Sequence, residues 1–211
     1  MKPIVILGAG GFARELMALI EAIGGWRILG FVRSEPEGEL SLLHGYPNYP
    51  TIEAFISDHP NVAEVRYCFG AGSPKVKRAM DAEARHSGLV PAPPLVYPDV
   101  KIHPSVQLAD NVVISAGTSL TVDIRIGYGT MLNLHCTVGH DTVIGEFCTC
   151  SPGVHLSGNV TLENEVECGT NSSVIPAVTL GERCVLGAGA VAVKSIPAGA
   201  VAVGIPAKSI R

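Results

Sequence analysis

The chain has 211 residues, 47% of them hydrophobic and only 16% charged, with a formal net charge of −4. That length suits one large domain or two small ones, and the charge leaves no basic surface for nucleic acid or an anionic membrane. Small molecules and further copies of the chain remain as partners. The first apolar run, Ile4-Val5-Ile6-Leu7, is too short for a signal peptide or a membrane span, which predicts a cytoplasmic protein.

That run suits a buried parallel strand and ends in Gly8-Ala9-Gly10-Gly11-Phe12-Ala13. Apolar residues then keep helical spacing from Phe12 to Ile23, where Gly24-Gly25 stops them, and residues 28–32 form a second strand. A glycine turn between a strand and a helix lets backbone approach a phosphate, although it also reads as a tight structural turn. A dinucleotide site would put an acidic residue after the second strand. Arg33-Ser34 stands there instead, which argues against NAD.

Further on, Thr51 is placed to cap a short helix through Ile52, Phe55 and Ile56. Residues 65–69 read as a third strand running into Gly70-Ala71-Gly72-Ser73, and Ser73-Pro74 opens a helix over 75–87. Residues 1–90 therefore predict an α/β half-Rossmann domain of three or four strands, enough for one mononucleotide. Residues 91–99, with Pro91, Pro93, Pro94 and Pro98, predict a stiff linker.

From residue 100 to residue 196 the pattern changes to a period of six. Ile102, Leu108, Ile114, Leu120, Ile126, Leu132, Val138, Ile144, Cys150 and every sixth residue on to Ala192 can be buried. A companion register two residues earlier, from Val100 through Thr118 to Ile196, holds only small or β-branched residues. Six residues are too few for a strand and a helix, so each repeat is one short strand and a bend. Three repeats close an 18-residue coil of a triangular parallel β-helix, about five coils in all, with 197–211 left as a loop or tail. Glycines directly after inward residues, such as Gly127, Gly139 and Gly145, fit bends with unusual backbone angles.

Five of the six cysteines fall on these registers, Cys150 and Cys168 on the inward one and Cys136, Cys148 and Cys184 on its companion. They read as small core residues in a reducing compartment. Stacking outward residues at 18-residue intervals puts Val122, His140, Gly158 and Pro176 in one column and Leu134, Pro152, Thr170 and Ala188 in another. A flat-sided prism with few outward charges needs a partner, so a trimer with a groove between subunits is expected. Spacing alone leaves His140 open as a chemical group or a solvated corner residue, and Asp141 as its partner or a turn residue.

With Gly8-Ala9-Gly10-Gly11-Phe12 at the start, His103-Pro104-Ser105 entering the repeat, His140-Asp141 followed by Ile144-Gly145-Glu146-Phe147, and Gly204-Ile205-Pro206-Ala207-Lys208 near the end, the chain resembles a known family. It is similar to the sialic acid O-acetyltransferase-like and bacterial nucleotide-sugar N-acetyltransferases, within the left-handed β-helix acyltransferases. The resemblance implies a left-handed helix and a homotrimer with active sites between subunits. It also implies acetyl-CoA as cosubstrate without a metal, and a nucleotide-linked amino sugar, such as a 4-amino-4,6-dideoxy hexose for surface glycan biosynthesis, held by the first domain. It makes His140 the general base, Asp141 its acidic partner and Asn133 a neighbour of the reacting groups. Thr149, Gly158, Thr170 and Ala188 take acetyl-CoA positions; Gly8, Gly10, Gly11, Phe12, Arg33, Ser34 and Gly70 take nucleotide-sugar positions.

Two positions depart from the family pattern. Thr149 stands where a second histidine often contacts the acetyl donor, and Arg33-Ser34 stands where a pair of aspartates often reads the base. An arginine fork can pair with guanine O6 and N7, which suggests GDP over UDP or dTDP. Sialic acid O-acetylation is the alternative activity. A different mechanism is suggested by the spacing of His135 and His140, similar to γ-class carbonic anhydrases, with His103 as the nearest third ligand. A nucleotide-binding scaffold without catalysis is the remaining reading.

Overall fold

A computed structural model describes residues 1–33 and 39–210, which form two compact units, Met1–Leu95 and a second from Val96 onward. The division falls inside the expected linker. In the first unit β1 (Lys2–Leu7), α1 (Gly11–Ile23), β2 (Trp26–Val32), β3 (Ser41–Leu43), β4 (Tyr46–Tyr49), α2 (Ile52–Asp58), β5 (Arg66–Phe69), α3 (Pro74–His86) and β6 (Val90–Pro91) follow in order. They build one six-stranded sheet in the order β3-β4-β2-β1-β5-β6, parallel except for the β3–β4 hairpin. Three or four strands were expected. The extra ones are the short hairpin, whose Pro47 and Asn48 carry no strand signal, and the two residues that open the proline segment.

Local chemistry accounts for the ends of these elements. Gly24 takes φ 71° and closes α1, and the Thr51 hydroxyl accepts from the Ala54 N–H at 3.2 Å to start α2. Ser73 precedes Pro74 of α3 as expected, but its side chain makes no capping bond. Gly30, inside β2, was not singled out by the sequence. It takes φ 148° at a register shift against β1, and a Cβ there would lie 2.4 Å from the Pro47 carbonyl oxygen.

The second unit is a parallel β-helix of two-residue strands on three faces. A first face carries Gln107–Leu108, a second Val113–Ile114 and a third Ser119–Leu120, and each repeats after eighteen residues, as in Arg125 with Val143, Met131 with Thr149 and Thr137 with His155. The inward residues Ile114, Ile126, Leu132, Ile144, Leu156, Leu162 and Leu180 are buried in one continuous core. The final coil is shorter. Ile196 meets Leu180, and Val201 meets Val185, sixteen residues apart. Ile196 therefore belongs to the inward register, not the companion one, and the expected tail adds a further strand, Val201–Val203, paired with Lys208–Ser209.

The bends also differ from expectation. The left-handed residue lies three positions after each inward one, from Asn111 and Gly117 through His135 and Asp141 to Gly189, with φ between 55° and 71° throughout. Gly, Asn and Asp fill most of these positions because they tolerate that region. Gly127, Gly139, Gly145, Gly169, Gly181 and Gly187 do not have left-handed φ. They are small because the next coil crosses them: a Cβ on Gly139 would lie 2.5 Å from the Gly158 nitrogen, and one on Gly169 2.5 Å from the Ala188 nitrogen.

The companion register is a hydrogen-bonding column as well as a packing one. Thr118, Thr130 and Thr142 donate to the carbonyls of Asn133, Gly145 and Ser157 at 2.9, 2.8 and 3.0 Å. Cys136 and Cys148 do the same with Ser151 and Glu163 at 3.4 and 2.9 Å, so these thiols stand in for threonine hydroxyls. Burial pushes the Cys136 thiol up to about 12 and the Cys184 thiol up to about 11, which keeps both protonated. All six cysteines are buried thiols. The expected result with Ellman's reagent is negligible labelling of the native protein and six thiols per chain after denaturation. A fast-reacting native thiol would contradict the core assignment.

Candidate active site

His140 sits where the third face turns a corner. Thr137–Val138 forms the strand, Gly139 lets the coil pass close to its neighbour, and Asp141 takes the left-handed bend at φ 58°. Main-chain bonds to the coils on either side hold the corner: the Asp141 N–H donates to the Val122 carbonyl at 3.2 Å, and the Asn159 N–H to the His140 carbonyl at 2.8 Å. The same bend that suits aspartate puts its Oδ2 2.8 Å from His140 Nδ1. Asp141 is therefore both the residue of the bend and a hydrogen-bonding neighbour of the histidine. A carboxylate can only accept, so this contact puts the ring hydrogen on Nδ1, and the neutral ring in that tautomer has its lone pair on Nε2. The two side chains are 57% and 55% exposed, open to a reactant.

A charge-assisted hydrogen bond is worth about 1.5–3 kcal/mol, less where solvent screens it. Asp141→Asn keeps a residue that tolerates the bend but removes the charge, so turnover is expected to fall about tenfold with the thermal midpoint unchanged. Steady-state rates and a melting curve check this; a large drop in midpoint would assign Asp141 to the fold alone.

Asn133, expected near the reacting groups, and Thr149, Thr170 and Ala188, expected near acetyl-CoA, lie on the second face and its corner. Asn133 is 9% exposed and its Oδ1 accepts from the Leu134 N–H at 2.7 Å. Thr149, in the next coil of that face, is 6% exposed. Thr170 and Ala188 continue the Leu134–Pro152 column, with successive N–H to carbonyl bonds into Leu134, Pro152 and Thr170. Gly158 belongs to the His140 corner. Within one chain the expected set thus separates into two corners, His140, Asp141 and Gly158 at one and the remainder at the other.

His135 occupies a left-handed position next to Leu134, its ring folded over Gly117, where a Cβ would lie 2.3 Å from Nδ1. His103 Nδ1 is engaged with Ser105, 2.9 Å from its hydroxyl. Among the described residues no three His, Cys, Asp or Glu side chains come together as a metal site.

In the first unit the glycine positions gather at the carboxyl edge of the parallel strands. β1 has β2 on one side and β5 on the other, so the connections diverge there, the place where open α/β sheets bind ligands. The Gly8 N–H reaches the Val32 carbonyl and the Gly70 N–H the Leu7 carbonyl, both at 2.6 Å. Gly8 takes φ 109°, and a Cβ on it would lie 2.9 Å from the Gly70 oxygen. Gly70 is small for a packing reason: its Cβ would fall 2.6 Å from that of Ala13 on α1.

Gly10 and Gly11 are exposed, and nothing lies within 4 Å of a Cβ on Gly10, so the fold itself does not demand glycine there. Phe12 is half-buried beside them. The N-terminus of α1 carries neither a side-chain cap nor an acid in its first turn, which leaves N–H groups and a positive dipole end for an anion. Arg33 follows β2 on the same edge and donates from its guanidinium to the Glu39 carbonyl. Ser34 lies outside the described residues. Among the described residues, a cavity of about 190 Å³ is lined by Arg27, Asp58 and His59 at the opposite edge of the sheet, and one of about 330 Å³ runs along Gln107, Arg125 and Gly127.

Comparison with known proteins follows the same division. Residues 3–82 match the PglD N-terminal domain, and residues 168–192 match the hexapeptide repeat of succinyl-transferase. A histidine-to-asparagine variant of perosamine N-acetyltransferase from Caulobacter crescentus, solved with CoA and GDP-perosamine, superposes with a TM-score of 0.90 at 26% identity, over 99% of this chain and 97% of that one. The acetyltransferase domain of PglB from Neisseria gonorrhoeae with acetyl coenzyme A gives 0.88 at 28% identity, over 99% of each chain. Among curated relatives, galactoside O-acetyltransferase of Escherichia coli is 40% identical over 52 residues, 25% of this chain and 26% of that enzyme. The chain spans about a quarter of the length of the curated relatives it matches.

Proposed function

We propose that this chain, which matches the PglD N-terminal domain and a hexapeptide repeat, is an acyltransferase of the left-handed β-helix type that acetylates the amino group of a nucleotide-linked amino sugar with acetyl-CoA. The observation that carries the chemistry is the His140–Asp141 pair at 2.8 Å on an exposed corner. His140 Nε2 accepts a proton from the sugar amine as its nitrogen attacks the thioester carbonyl. The tetrahedral intermediate then collapses, the C–S bond breaks, and the CoA sulfur leaves with the proton returned by the imidazolium. Asp141 stabilises the imidazolium, and no acyl-enzyme is needed. Asn133 stands near the reacting groups, and acetyl-CoA runs along Thr149, Gly158, Thr170 and Ala188 in a groove completed by a neighbouring subunit of a cytoplasmic trimer.

The carboxyl edge of the first unit holds the nucleotide: the Gly8–Phe12 turn and α1 take the diphosphate, Gly70 flanks it, and Arg33 with Ser34 reads the base. Guanine is favoured, on the chemistry of the Arg33 fork and the likeness to an enzyme solved with GDP-perosamine. Thiol release measured across UDP-, dTDP- and GDP-linked 4-amino-4,6-dideoxy sugars is expected to be fastest with a GDP-sugar. A UDP preference would overturn the guanine assignment, and no CoA release with any of them would overturn the activity.

A further inference from the structure

We propose that Gly158 is a positioning residue for His140, glycine because the imidazole occupies the place of its side chain. A Cβ on Gly158 would lie 2.6 Å from both Cε1 and Nε2 of His140 and 3.0 Å from Cδ2. Nothing in its backbone asks for glycine, since it does not take a left-handed φ. Nor does its place in the coil. The equivalent corner positions recur every sixth residue from Asp110 to Ala188, and Gly158 is the one glycine among them. In its own column the residues are Val122, His140 and Pro176, all larger. The glycine stands one coil after the histidine, under its ring.

The consequence is a three-sided seat. Asp141 Oδ2 fixes Nδ1, the main-chain bonds of Asp141 and Asn159 fix the corner, and the bare Cα of Gly158 lets the Nε2 edge lie down along the next coil. A methyl at 158 would meet the far end of a rotatable side chain, so the ring would swing away while the coil stays intact. Misplacing a reacting group by about 1 Å costs on the order of 10²-fold in rate.

This inference rests on His140 being the base, and its test separates the two. Gly158→Ala is expected to keep the thermal midpoint and lower kcat about 10²-fold, a loss far larger than any change in the KM for acetyl-CoA, whose track also passes this residue. In spectra of ¹⁵N-histidine-labelled protein, the imidazole signal that His140→Asn removes should shift in Gly158→Ala. A raised KM with unchanged kcat would make Gly158 a cosubstrate contact only and overturn the proposal, as would an unmoved imidazole signal. Full activity of His140→Asn would instead overturn the base assignment beneath it. Should Gly158→Ala fail to fold, the double variant with His140→Ala decides. Folding restored once the ring is gone upholds the contact, and continued unfolding puts the need for glycine in the backbone and overturns it.

Discussion

His140→Asn is expected to lower turnover by about 10²- to 10⁴-fold without changing the melting curve. Asparagine keeps a polar side chain of similar reach at the corner but cannot accept a proton from an amine in neutral solution. An attacking amine that keeps its proton leaves a positively charged nitrogen on the tetrahedral intermediate, and that intermediate reverts faster than the thiolate departs. The fold should be indifferent because the His140 side chain is 57% exposed and the corner is held by main-chain bonds from Asp141 and Asn159. Thiol release with saturating substrates, beside circular dichroism and a melting curve, checks both halves. Unchanged turnover would remove His140 from the mechanism, whereas a lost fold would make it structural.

Much of this corner was legible in the sequence, and the reason is geometric. A coil of eighteen residues turns sequence spacing into stacking, so His140 and Gly158 could be put in one column before any coordinates. The atoms between columns could not be read that way. Spacing does not say that Asp141 turns its carboxylate onto Nδ1, because the left-handed bend that aims it is a backbone property shared with His135, Phe147 and Arg183, which have no sequence signature for it. The same gap hides the bends: spacing suggests the usual conformational role for Gly127 and Gly139, whereas the crossing coil is what keeps them small.

In the first unit, strong aliphatic runs such as Ile4-Val5-Ile6-Leu7 identified the central strands, whereas the hairpin from Ser41 to Tyr49 depends on a partner already in place. Phe31 and Val32 of β2 pair with Asn48 and Tyr49, so tertiary context makes a strand of a stretch that Pro47 and Asn48 interrupt. The period also broke where the last coil lost two residues. Ile196 then moved from one register to the other, a change that a strict count of six cannot follow.

The register itself predicts the larger stability effect. Val143 and Ile144 are adjacent, β-branched and one methylene apart in size, but Val143 is 41% exposed and Ile144 1%. Truncating Ile144 to alanine removes buried methylenes from a column between Ile126 and Leu162, where the neighbouring coils are fixed by hydrogen bonds and cannot close the gap. Such losses cost about 2–5 kcal/mol. Val143→Ala leaves no cavity, and at an outward position its cost should stay within about 0.5 kcal/mol. Urea unfolding of the two variants gives the comparison directly, with the midpoint falling sharply for Ile144→Ala and barely for Val143→Ala. Equal large losses would mean that Val143 is covered in the assembled protein, as a subunit interface on the first face would require. Reversed costs would shift every strand by one residue and turn the core outward, and would overturn the register on which the His140 corner depends.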